Sequence, residues 1–468
     1  MEQIKITQQN DTIAAISTPA GVGGIAVIRV SGPDAISIVD SAWKGVDLSK
    51  VESHTVHLGK YFAKDGALLD EAVATVFNAP ASFTGENVVE ISVHGSSWIQ
   101  REILNDLIKR GARTANPGEF TQRAFLNGKI DLAQAEGIAD LISSSSKAAH
   151  DMAINQIRGS FSKEFEKLRE KLIEFASLLE LELDFSEEDV EFADRSSLLA
   201  LCEQILNKVK SLASSYSKGA VLKNGVPVVI AGLPNAGKSS LLNLLLGDEK
   251  AIVTDIPGTT RDTIEDTIEI GGILYRFIDT AGLRETSDVV EGIGVDRARV
   301  IMAKAFIIIW VIDTTASLDI QLSELESFSL SNPSKKIIVL LNKSDLKSAE
   351  SLDSFKSLHF SLDNQNVIKF STQTFQGLPE LLENLNKLSV QNSNPEKDII
   401  VTNARHFEAL TRATDSLQRV KEGLGNGLSG DFIAQDIREA TAHLATITGS
   451  ITTDTLLHSI FSRFCIGK

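Results

Sequence analysis

The sequence predicts a multidomain protein that combines an N-terminal α+β domain, a discontinuous all-α helical domain and an α/β domain inserted between the two helical segments. Three observations predict this fold class. Short strand-like runs punctuated by Gly, Pro and Asn fill about the first 120 residues. Apolar residues at helical spacing follow, and the same spacing returns after a central segment of strand-length apolar runs. A length of 468 residues is sufficient for about three domains.

The N-terminal segment contains one helical pattern, Trp98–Lys109, and a glycine cluster, Gly21–Gly24. We interpret the glycine cluster as a turn between strands, because no nucleotide-binding fingerprint follows it. Four runs have the composition of β-strands: Ile13–Ile16, Ile25–Val30, Val73–Phe77 and Val88–Val93.

Each helical segment carries an apolar stripe with a spacing of three or four residues. The stripe comprises Phe161, Phe165, Leu168, Leu172, Phe175 and Leu179 before the central domain, and Phe407, Leu410, Leu417, Val420, Leu456, Ile460 and Phe464 after it. Neither segment has the caps and length of an independent domain, so we expect the two to pack together. The predicted domains are residues 1–125, 126–222, 223–390 and 391–468, of which the second and fourth form the helical domain.

Composition limits the classes of function. The chain is 43% hydrophobic and 23% charged, which is typical of a globular protein. A net charge of −16 argues against a broad basic surface for nucleic acid, so a partner would supply much of any contact with RNA. The acidic stretch Glu182–Glu191 is either a solvated surface or a docking site for a partner.

The sequence also predicts a cytoplasmic protein without a membrane segment. The first ten residues contain no apolar signal region, and the longest apolar runs, such as Ala305–Ile312, have the length of a strand. The chain has two cysteines, Cys202 and Cys465, which cannot form a disulfide framework and fit a reducing compartment.

The central segment begins with a phosphate-binding motif, Gly232-Leu-Pro-Asn-Ala-Gly-Lys-Ser239. The apolar runs Val226–Ala231 and Leu241–Leu246 flank it, which places the motif at a strand-to-helix turn. Its glycines allow backbone N–H groups to surround phosphate oxygens, Lys238 reaches the β- and γ-phosphates, and the Ser239 hydroxyl can bind Mg²⁺.

Three further motifs follow in the order typical of a guanine-nucleotide switch: Gly258-Thr-Thr-Arg-Asp262, Asp279-Thr-Ala-Gly282 and Asn342-Lys-Ser-Asp345. Asp279 ends the apolar run Ile273–Ile278 and can approach Mg²⁺, while the Gly282 N–H can contact the γ-phosphate. The Asp345 carboxylate suits the N1 and N2 donors of guanine, which adenine lacks. The nucleotide is therefore predicted to be GTP.

The water-orienting glutamine of Ras-like switches is replaced by Leu283, which cannot hold a water molecule. Either hydrolysis is slow or another group orients the water. Glu285, Asp288 and Glu291 are the candidates, and exposed loop charges are the alternative interpretation. Asn235 could help to hold a monovalent cation near the β/γ bridge, or could be present for the backbone of a tight turn.

With these motifs, the chain resembles the MnmE (TrmE) family of tRNA-modification GTPases. The resemblance rests on Asn235-x-Gly-Lys-Ser, Gly258–Asp262, Asp279-Thr-Ala-Gly-Leu-Arg284 and the terminal Cys465-Ile-Gly-Lys468. It extends over nearly the whole chain through Phe83–Asn87, Pro117–Phe120, Arg123–Asn127 and Asp131–Glu136.

The resemblance implies a homodimer with an N-terminal tetrahydrofolate-binding domain, a split helical domain and an inserted Ras-like GTPase domain. It further implies a partner, the FAD- and NADH-dependent protein MnmG (GidA). Together they would add an aminomethyl or carboxymethylaminomethyl group to C5 of the wobble uridine of certain tRNAs. A tetrahydrofolate derivative, 5-formyl- or 5,10-methylene-tetrahydrofolate, would supply the one-carbon unit.

The resemblance also implies the site residues. Ser239 and Thr260 would hold Mg²⁺; Asn235, Thr254, Ile256 and Thr259 would surround K⁺; and Glu291 would orient the catalytic water. The folate would contact Arg29, Glu86, Lys129 and Lys468. The predicted GTP-binding residues are Asn235, Ala236, Gly237, Lys238, Ser239, Ser240, Thr254, Asp255, Ile256, Pro257, Gly258, Thr259, Thr260, Asp279, Thr280, Ala281, Gly282, Asn342, Lys343, Ser344, Asp345 and Ser371.

Two positions remain open. Ser371-Thr-Gln373 stands where the family commonly has a Ser-Ala-Lys type of loop, although Ser371 can still contribute a backbone contact. Cys465 has three interpretations: a prenylation site, which Gly467 and Lys468 fit poorly, a packed structural thiol beside Phe464, or a thiol that takes part in the modification chemistry.

Three functions are compatible with the sequence. The first is an enzyme subunit that couples GTP hydrolysis to tRNA modification. The second is a ribosome-assembly GTPase, which should carry a basic RNA-binding module that is not visible here. The third is a nucleotide-gated scaffold with negligible turnover, which the absent glutamine permits.

Overall fold

The computed structural model describes residues 11–184, 195–247, 252–253, 265–278, 302–346, 366–390 and 399–467. The chain divides into two compact units. The first contains the described residues within 1–139, 156–206 and 412–468, and the second those within 140–155 and 207–411.

The N-terminal part of the first unit is an α+β domain built on a seven-stranded sheet of order β3-β4-β5-β6-β2-β1-β7. All neighbouring strands are antiparallel except β1 and β7. The four predicted strands and the predicted helix are confirmed. The elements are β1 Ile13–Ile16, β2 Ile25–Ser31, α1 Ala35–Asp40, β3 Trp43–Lys44, β4 Thr55–Phe62, β5 Leu68–Phe77, β6 Val88–His94, α2 Ser97–Lys109, β7 Arg113–Thr114 and α3 Glu119–Leu126.

Five helices connect this domain to the central sheet: α4 Leu132–Ser143, α5 Lys147–Ile157, α6 Ser160–Asp184, α7 Arg195–Ser214 and α8 Tyr216–Asn224. The predicted apolar stripe lies on α6, and all six of its side chains are buried. A helix of this length is stabilised mainly by packing of its apolar face, so α6 requires a partner element.

The central α/β domain has a second seven-stranded sheet, of order β14-β13-β12-β8-β11-β10-β9. Strands β14, β13, β12, β8 and β11 are parallel, and β10 and β9 continue the sheet in antiparallel pairing. The elements are β8 Val226–Ala231, α9 Lys238–Gly247, β9 Ile252–Val253, β10 Glu265–Ile270, β11 Ile273–Ile278, β12 Ile307–Asp313, α10 Leu318–Ser331, β13 Lys336–Asn342, β14 Val367–Lys369 and α11 Leu378–Val390.

The β10–β11 hairpin turns through Gly271 and Gly272, whose φ angles of 58° and 83° match a two-residue hairpin turn that glycine favours. Helix α5 begins at this turn, because the Ala148 N–H donates to the Gly272 carbonyl over 2.9 Å. Ala148 and Met152 are buried in the same apolar cluster as the strands of the central sheet. Residues 140–155 therefore belong to the second unit, although the predicted boundary placed them in the helical domain. The predicted domain boundaries stay a prediction.

Three helices complete the chain: α12 Ala404–Gly425, α13 Gly430–Thr448 and α14 Asp454–Phe461. Helix α13 packs along α6. In the same unit Cys202 of α7 donates through Sγ to the Leu417 carbonyl of α12, and Lys421 pairs with Glu203 over 2.8 Å. The helical segments on either side of the inserted domain therefore pack together, as predicted.

The connections that lead into and out of the inserted domain lie side by side within the second unit. The Val401 N–H donates to Ser215 Oγ over 3.0 Å, and the rings of Tyr216 and Phe407 stack with centroids 4.7 Å apart. Gly219 permits this approach, because a Cβ atom there would lie 2.1 Å from the Val401 carbonyl oxygen. The multidomain fold class with an inserted α/β domain is confirmed. Among the described helices, none is both long enough and apolar enough to cross a bilayer.

Candidate nucleotide and folate sites

The predicted phosphate loop connects β8 to α9, which begins at Lys238. Its backbone reverses direction through Gly232 and Gly237, with φ angles of 138° and 101°. Lys238 Nζ donates to the carbonyl oxygens of Gly232 and Leu233 at 2.9 and 2.8 Å. Burial lowers the pKa of Lys238 from its ordinary value. The ammonium group is thus held over the loop, where the N-terminus of a helix favours anions.

Two of the loop glycines are required by close contacts. A Cβ atom on Gly232 would lie 2.2 Å from the Val311 carbonyl oxygen, and one on Gly237 would lie 2.2 Å from Asn342 Nδ2. A side chain at either position would clash with Val311 or Asn342, so glycine keeps the loop in this conformation. The loop therefore has the shape and the donors that a phosphate group requires.

The base-recognition motif follows β13 and is tied directly to the phosphate loop. Asn342 is buried, and its Nδ2 donates to the Ala236 carbonyl over 2.8 Å. Its Oδ1 accepts from the Thr372 N–H over 3.3 Å. Asn342 therefore connects the phosphate loop to the predicted loop that begins at Ser371. The Ser371 hydroxyl accepts from the N–H groups of the second and third residues after it, which closes a tight turn.

The other residues of the motif differ in exposure. Ser344 is buried, and its hydroxyl donates to the Phe370 carbonyl over 2.8 Å. Lys343 has a left-handed backbone with φ of 62° and pairs through Nζ with Asp313 over 2.6 Å. Asp345 is exposed, and its carboxylate makes no hydrogen bond to any residue that the structure describes. The carboxylate is thus available to accept from a base.

Of the predicted metal ligands, the structure describes Ser239 and Asn235. Ser239 lies in the first turn of α9, and Asn235 is exposed with a left-handed φ of 63°. The Asn235 side chain makes no hydrogen bond within the described part of the chain, so both of its predicted roles remain compatible with the geometry. The described ranges hold no group of three or more His, Cys, Asp or Glu side chains that could bind a metal.

Several predicted site residues lie outside the described residues. These are Thr254, Asp255, Ile256, Pro257, Gly258, Thr259, Thr260, Asp279, Thr280, Ala281, Gly282, Glu291 and Lys468. Their assignments stay predictions.

A second cluster contains the three described residues of the predicted folate site. Arg29 on β2 pairs with Glu90 over 2.7 Å, and its guanidinium lies 5.4 Å from the Phe83 ring centroid. Glu86 accepts from the Ser31 hydroxyl at 2.7 Å, two residues along β2 from Arg29. Lys129 packs against Gly85 and donates to the Pro80 carbonyl over 3.0 Å. The fold thus gathers Arg29, Glu86 and Lys129 around one loop.

An ion network centred on the buried residues Arg123 and Glu119 supports Glu86. Arg123 donates to Glu86 over 3.2 Å, to Glu119 over 3.0 Å and to Asp11 over 2.7 Å. Arg113 donates to Glu119 over 2.6 Å and to Asp11 over 2.7 Å. Burial raises the pKa of Glu119, but the hydrogen bonds from Arg113 and Arg123 outweigh it and hold that pKa below its ordinary value of 4.5. Glu86 is thus anchored by two donors before any ligand arrives.

The C-terminal tetrapeptide docks on the same domain. The Ser17 hydroxyl donates to the Gly467 carbonyl over 3.0 Å, and Arg29 donates to the same carbonyl over 3.4 Å. Gly467 must be glycine, because its φ is 92° and a Cβ atom would lie 2.4 Å from the Ile16 carbonyl oxygen. The exposed thiol of Cys465 lies two residues before it. Its exposure argues against the interpretation as a packed structural thiol.

Sequence reasoning missed Asp313 and Arg123. Asp313 ends a run of apolar residues at the carboxyl end of β12, which is where parallel sheets place ligand-binding side chains, so a signal was present. Arg123 stands four residues after Glu119, the spacing of an ion pair on one helix. Nothing in the sequence indicates the contact of Arg123 with Asp11.

Comparison with known proteins covers the whole chain. The family described as "GTP-binding protein TrmE N-terminus" matches residues 12–129, and the family described as "MnmE helical domain" matches residues 132–465. The tRNA modification GTPase MnmE of Cytophaga hutchinsonii is 49% identical over 470 residues, which cover 100% of both chains. The protein of the same name from Parabacteroides distasonis is 49% identical over 462 residues, or 98% of this chain and 100% of that one.

Two solved structures are similar to part of the chain. Era of Aquifex aeolicus bound to GDP and AlF₄⁻ is 26% identical, covers 41% of this chain and 66% of its own, and has a TM-score of 0.28. The G domain of the Thermotoga maritima FeoB iron transporter is 24% identical, covers 35% of this chain and 98% of its own, and has a TM-score of 0.24. TM-scores this low do not support an inference about function.

The inserted sheet, its phosphate loop and the tied base-recognition motif define a P-loop GTPase. The chain matches both family models, and it is 49% identical to a curated relative over the full length of both chains. These matches together identify one family. The chain belongs to the MnmE family of tRNA modification GTPases.

Proposed function

We propose that this protein is a potassium-stimulated GTP hydrolase of the cytoplasm that acts as a homodimer with MnmG (GidA). Together they install an aminomethyl or carboxymethylaminomethyl group at C5 of the wobble uridine of certain tRNAs, using a tetrahydrofolate one-carbon unit. Full-length identity to proteins named tRNA modification GTPase MnmE favours this function over ribosome assembly and over a scaffold without turnover.

The observation that carries the GTPase part is the hydrogen bond between Asn342 and Ala236. It joins the residues that recognise the base to the loop that holds the phosphates, so one nucleotide can engage both. Lys238 supplies positive charge to the β- and γ-phosphates when it leaves the carbonyls that it contacts here. Ser239 would hold Mg²⁺ from the first turn of α9, and the ion would neutralise charge on the phosphate oxygens.

The potassium proposal rests on Asn235, whose exposed side chain makes no hydrogen bond within the described residues. A K⁺ ion held there would supply fixed positive charge near the β/γ bridge, the role that an arginine finger has in other switches. Leu283 cannot orient water, and we assign that task to Glu291.

The folate proposal rests on the gathering of Arg29, Glu86 and Lys129 beside the docked C-terminal turn. The carboxylate of Glu86 suits the N–H donors of a pterin, and the cationic side chains suit the glutamate carboxylates of the folate. Because Ser31 and Arg123 fix the Glu86 carboxylate, it would be oriented without further ordering when the ligand binds.

Hydrolysis of GTP in KCl and in NaCl at equal ionic strength tests the potassium proposal. We expect strong stimulation by potassium in the wild type and its loss in Asn235→Ala. Glu291→Ala should lose most turnover in either salt while it retains GTP binding. Equal slow rates of the wild type in both salts would contradict the potassium mechanism, and weak GTP binding by Glu291→Ala would contradict the role of that carboxylate.

Calorimetric titration with 5-formyl-tetrahydrofolate tests the folate proposal. Glu86→Gln should weaken binding by about tenfold or more, since a charged hydrogen bond contributes about 1.5–3 kcal/mol. Glu71→Gln is the matched control, because Glu71 is an exposed residue of the same domain that pairs with Lys60. Equal affinities of the two variants and the wild type would remove Glu86 from the site.

A further inference from the structure

We infer that Asp313 is a positioning residue for guanine recognition, which it controls by orienting the loop Asn342–Asp345 through its ion pair with Lys343. The inference rests on the proposed role of Asp345 as the carboxylate that accepts from the base. It adds a residue of β12 to a site that the sequence motifs place entirely on other elements.

The Asp313 carboxylate accepts three hydrogen bonds. Lys343 Nζ donates to Oδ2 over 2.6 Å, and the Thr315 N–H and hydroxyl donate to Oδ1 over 2.8 and 2.6 Å. The Asp313 backbone is fixed as well, because Gln321, itself buried, accepts from its N–H and donates to its carbonyl. The carboxylate therefore has one orientation, and Lys343 must extend to it.

Lys343 holds an unfavourable backbone conformation for a residue with a side chain. Its φ of 62° is left-handed, a region that non-glycine residues avoid unless their surroundings impose it. Two contacts from the end of β12 impose it: the ion pair to Asp313 and the hydrogen bonds from the Thr314 hydroxyl to the carbonyls of Asn342 and Lys343, at 2.9 and 3.2 Å.

The conformation of Lys343 decides where Asp345 points. Asn342 is anchored to the phosphate loop and Ser344 to the Phe370 carbonyl, so Lys343 is the bend between two fixed points. Asp345 is exposed and makes no hydrogen bond to the described residues, so only the backbone before it directs its carboxylate. If Lys343 were released, the carboxylate would lose its alignment with the two donors of guanine.

Burial raises the pKa of Asp313, but the hydrogen bonds from Lys343 and Thr315 outweigh it and keep that pKa below its ordinary value. The Asp313 carboxylate thus remains ionised at neutral pH. An asparagine at this position would turn an N–H₂ group or a neutral oxygen toward Lys343 and would lose the charge that holds the ammonium.

The test is the affinity of the full-length protein for GDP and for IDP, whose hypoxanthine base lacks the 2-amino donor. We expect Asp313→Asn to weaken GDP binding about tenfold and IDP binding much less, so that the preference for GDP falls. Asp319→Asn, which changes an exposed acid in the first turn of α10, should leave both affinities unchanged. Asp313→Glu should restore part of the preference. Simple loss of folded protein cannot produce this pattern, because it lowers the binding fraction and leaves the ratio of the two affinities intact.

A double-mutant cycle with Lys343→Met completes the test. If Asp313 acts through Lys343, the double variant loses no more GDP preference than Asp313→Asn alone. Additive losses, or an unchanged preference in Asp313→Asn, overturn the inference. Asp345→Asn is measured alongside. If this variant also keeps the GDP preference, the assignment of Asp345 as the residue that recognises guanine is wrong. If only Asp345→Asn loses the preference, the positioning role of Asp313 alone is refuted.

Discussion

Replacement of Arg123 by methionine should open helix α3 and destabilise the ion network beneath the proposed folate site. The Arg123 side chain is 7% exposed and donates to three carboxylates, of which the Glu119 side chain is 6% exposed. Removing one partner of a buried ion pair costs about 3–5 kcal/mol, because the remaining charge is left without compensation. Arg113 still donates to Glu119 over 2.6 Å, so we expect the lower end, about 3 kcal/mol.

Amide hydrogen exchange measures this effect locally. At about 1.4 kcal/mol per decade, a loss of about 3 kcal/mol accelerates exchange of the α3 amides by somewhat more than a hundredfold. Arg419→Met is the matched control, because Arg419 belongs to the same unit but its pairs with Asp436 and Glu439 are exposed. Such pairs contribute about 1 kcal/mol or less. Exchange of the α3 amides in Arg123→Met within threefold of the wild type would refute the reasoning.

The same network predicts a dependence on pH. For Asp11 as for Glu119, burial raises the pKa, and hydrogen bonds from Arg113 and Arg123 outweigh it and lower the pKa from its ordinary value. A carboxyl group with a lowered pKa in the folded state stabilises the fold above its unfolded pKa, and this contribution is lost as the pH falls through the folded value. Thermal unfolding followed by circular dichroism should thus show that the wild type loses more stability than Arg123→Met as the pH falls below about 4.5. Parallel pH profiles of the two proteins would contradict this.

Two further predictions follow from local geometry. Gly237→Ala should weaken GDP binding more than about tenfold. The left-handed backbone alone costs alanine about 1–2 kcal/mol, and the new Cβ atom would clash with Asn342. Gly247→Ala is the control, because its new Cβ atom meets no atom within 4 Å. Binding of labelled GDP measures both, and equal affinities would show that the loop can rearrange. Iodoacetamide at pH 8 should modify the exposed Cys465 and spare Cys202 in the native protein, since burial raises the pKa of Cys202 to about 11. Mass spectrometry identifies the modified residue, and fast alkylation of Cys202 would indicate that its helices separate.

Sequence patterns predicted the central domain well because its parallel strands are buried on both faces. Val226–Ala231 and Ile273–Ile278 are mostly apolar runs, interrupted by Pro227 and by Arg276, and each became a strand with the predicted bounds. Strand β4 was missed. Gly59 lies in its middle and suggests a break, but it is needed because the Trp43 ring lies 2.4 Å from where a Cβ atom would be. That requirement comes from tertiary packing, which a local pattern does not contain.

In the candidate sites, too, local motifs could be predicted from the sequence and tertiary contacts could not. Backbone motifs such as Gly232–Ser239 have a fixed spacing, so they could be located from the sequence, and the structure places them at a strand-to-helix turn. Contacts between distant positions could not be located. Arg123 meets Asp11 across 112 positions, and Asp313 meets Lys343 across 30. Both contacts depend on the tertiary fold, which brings these distant segments together.

The hydrogen bond from Val401 to Ser215 has a consequence for how this architecture can be taken apart. Because the chain enters and leaves the central module at adjacent positions, the module can be inserted without stretching the backbone of the flanking helices. The same adjacency means that a short peptide bridging these two positions could replace the whole module, and that the excised module could be joined head to tail.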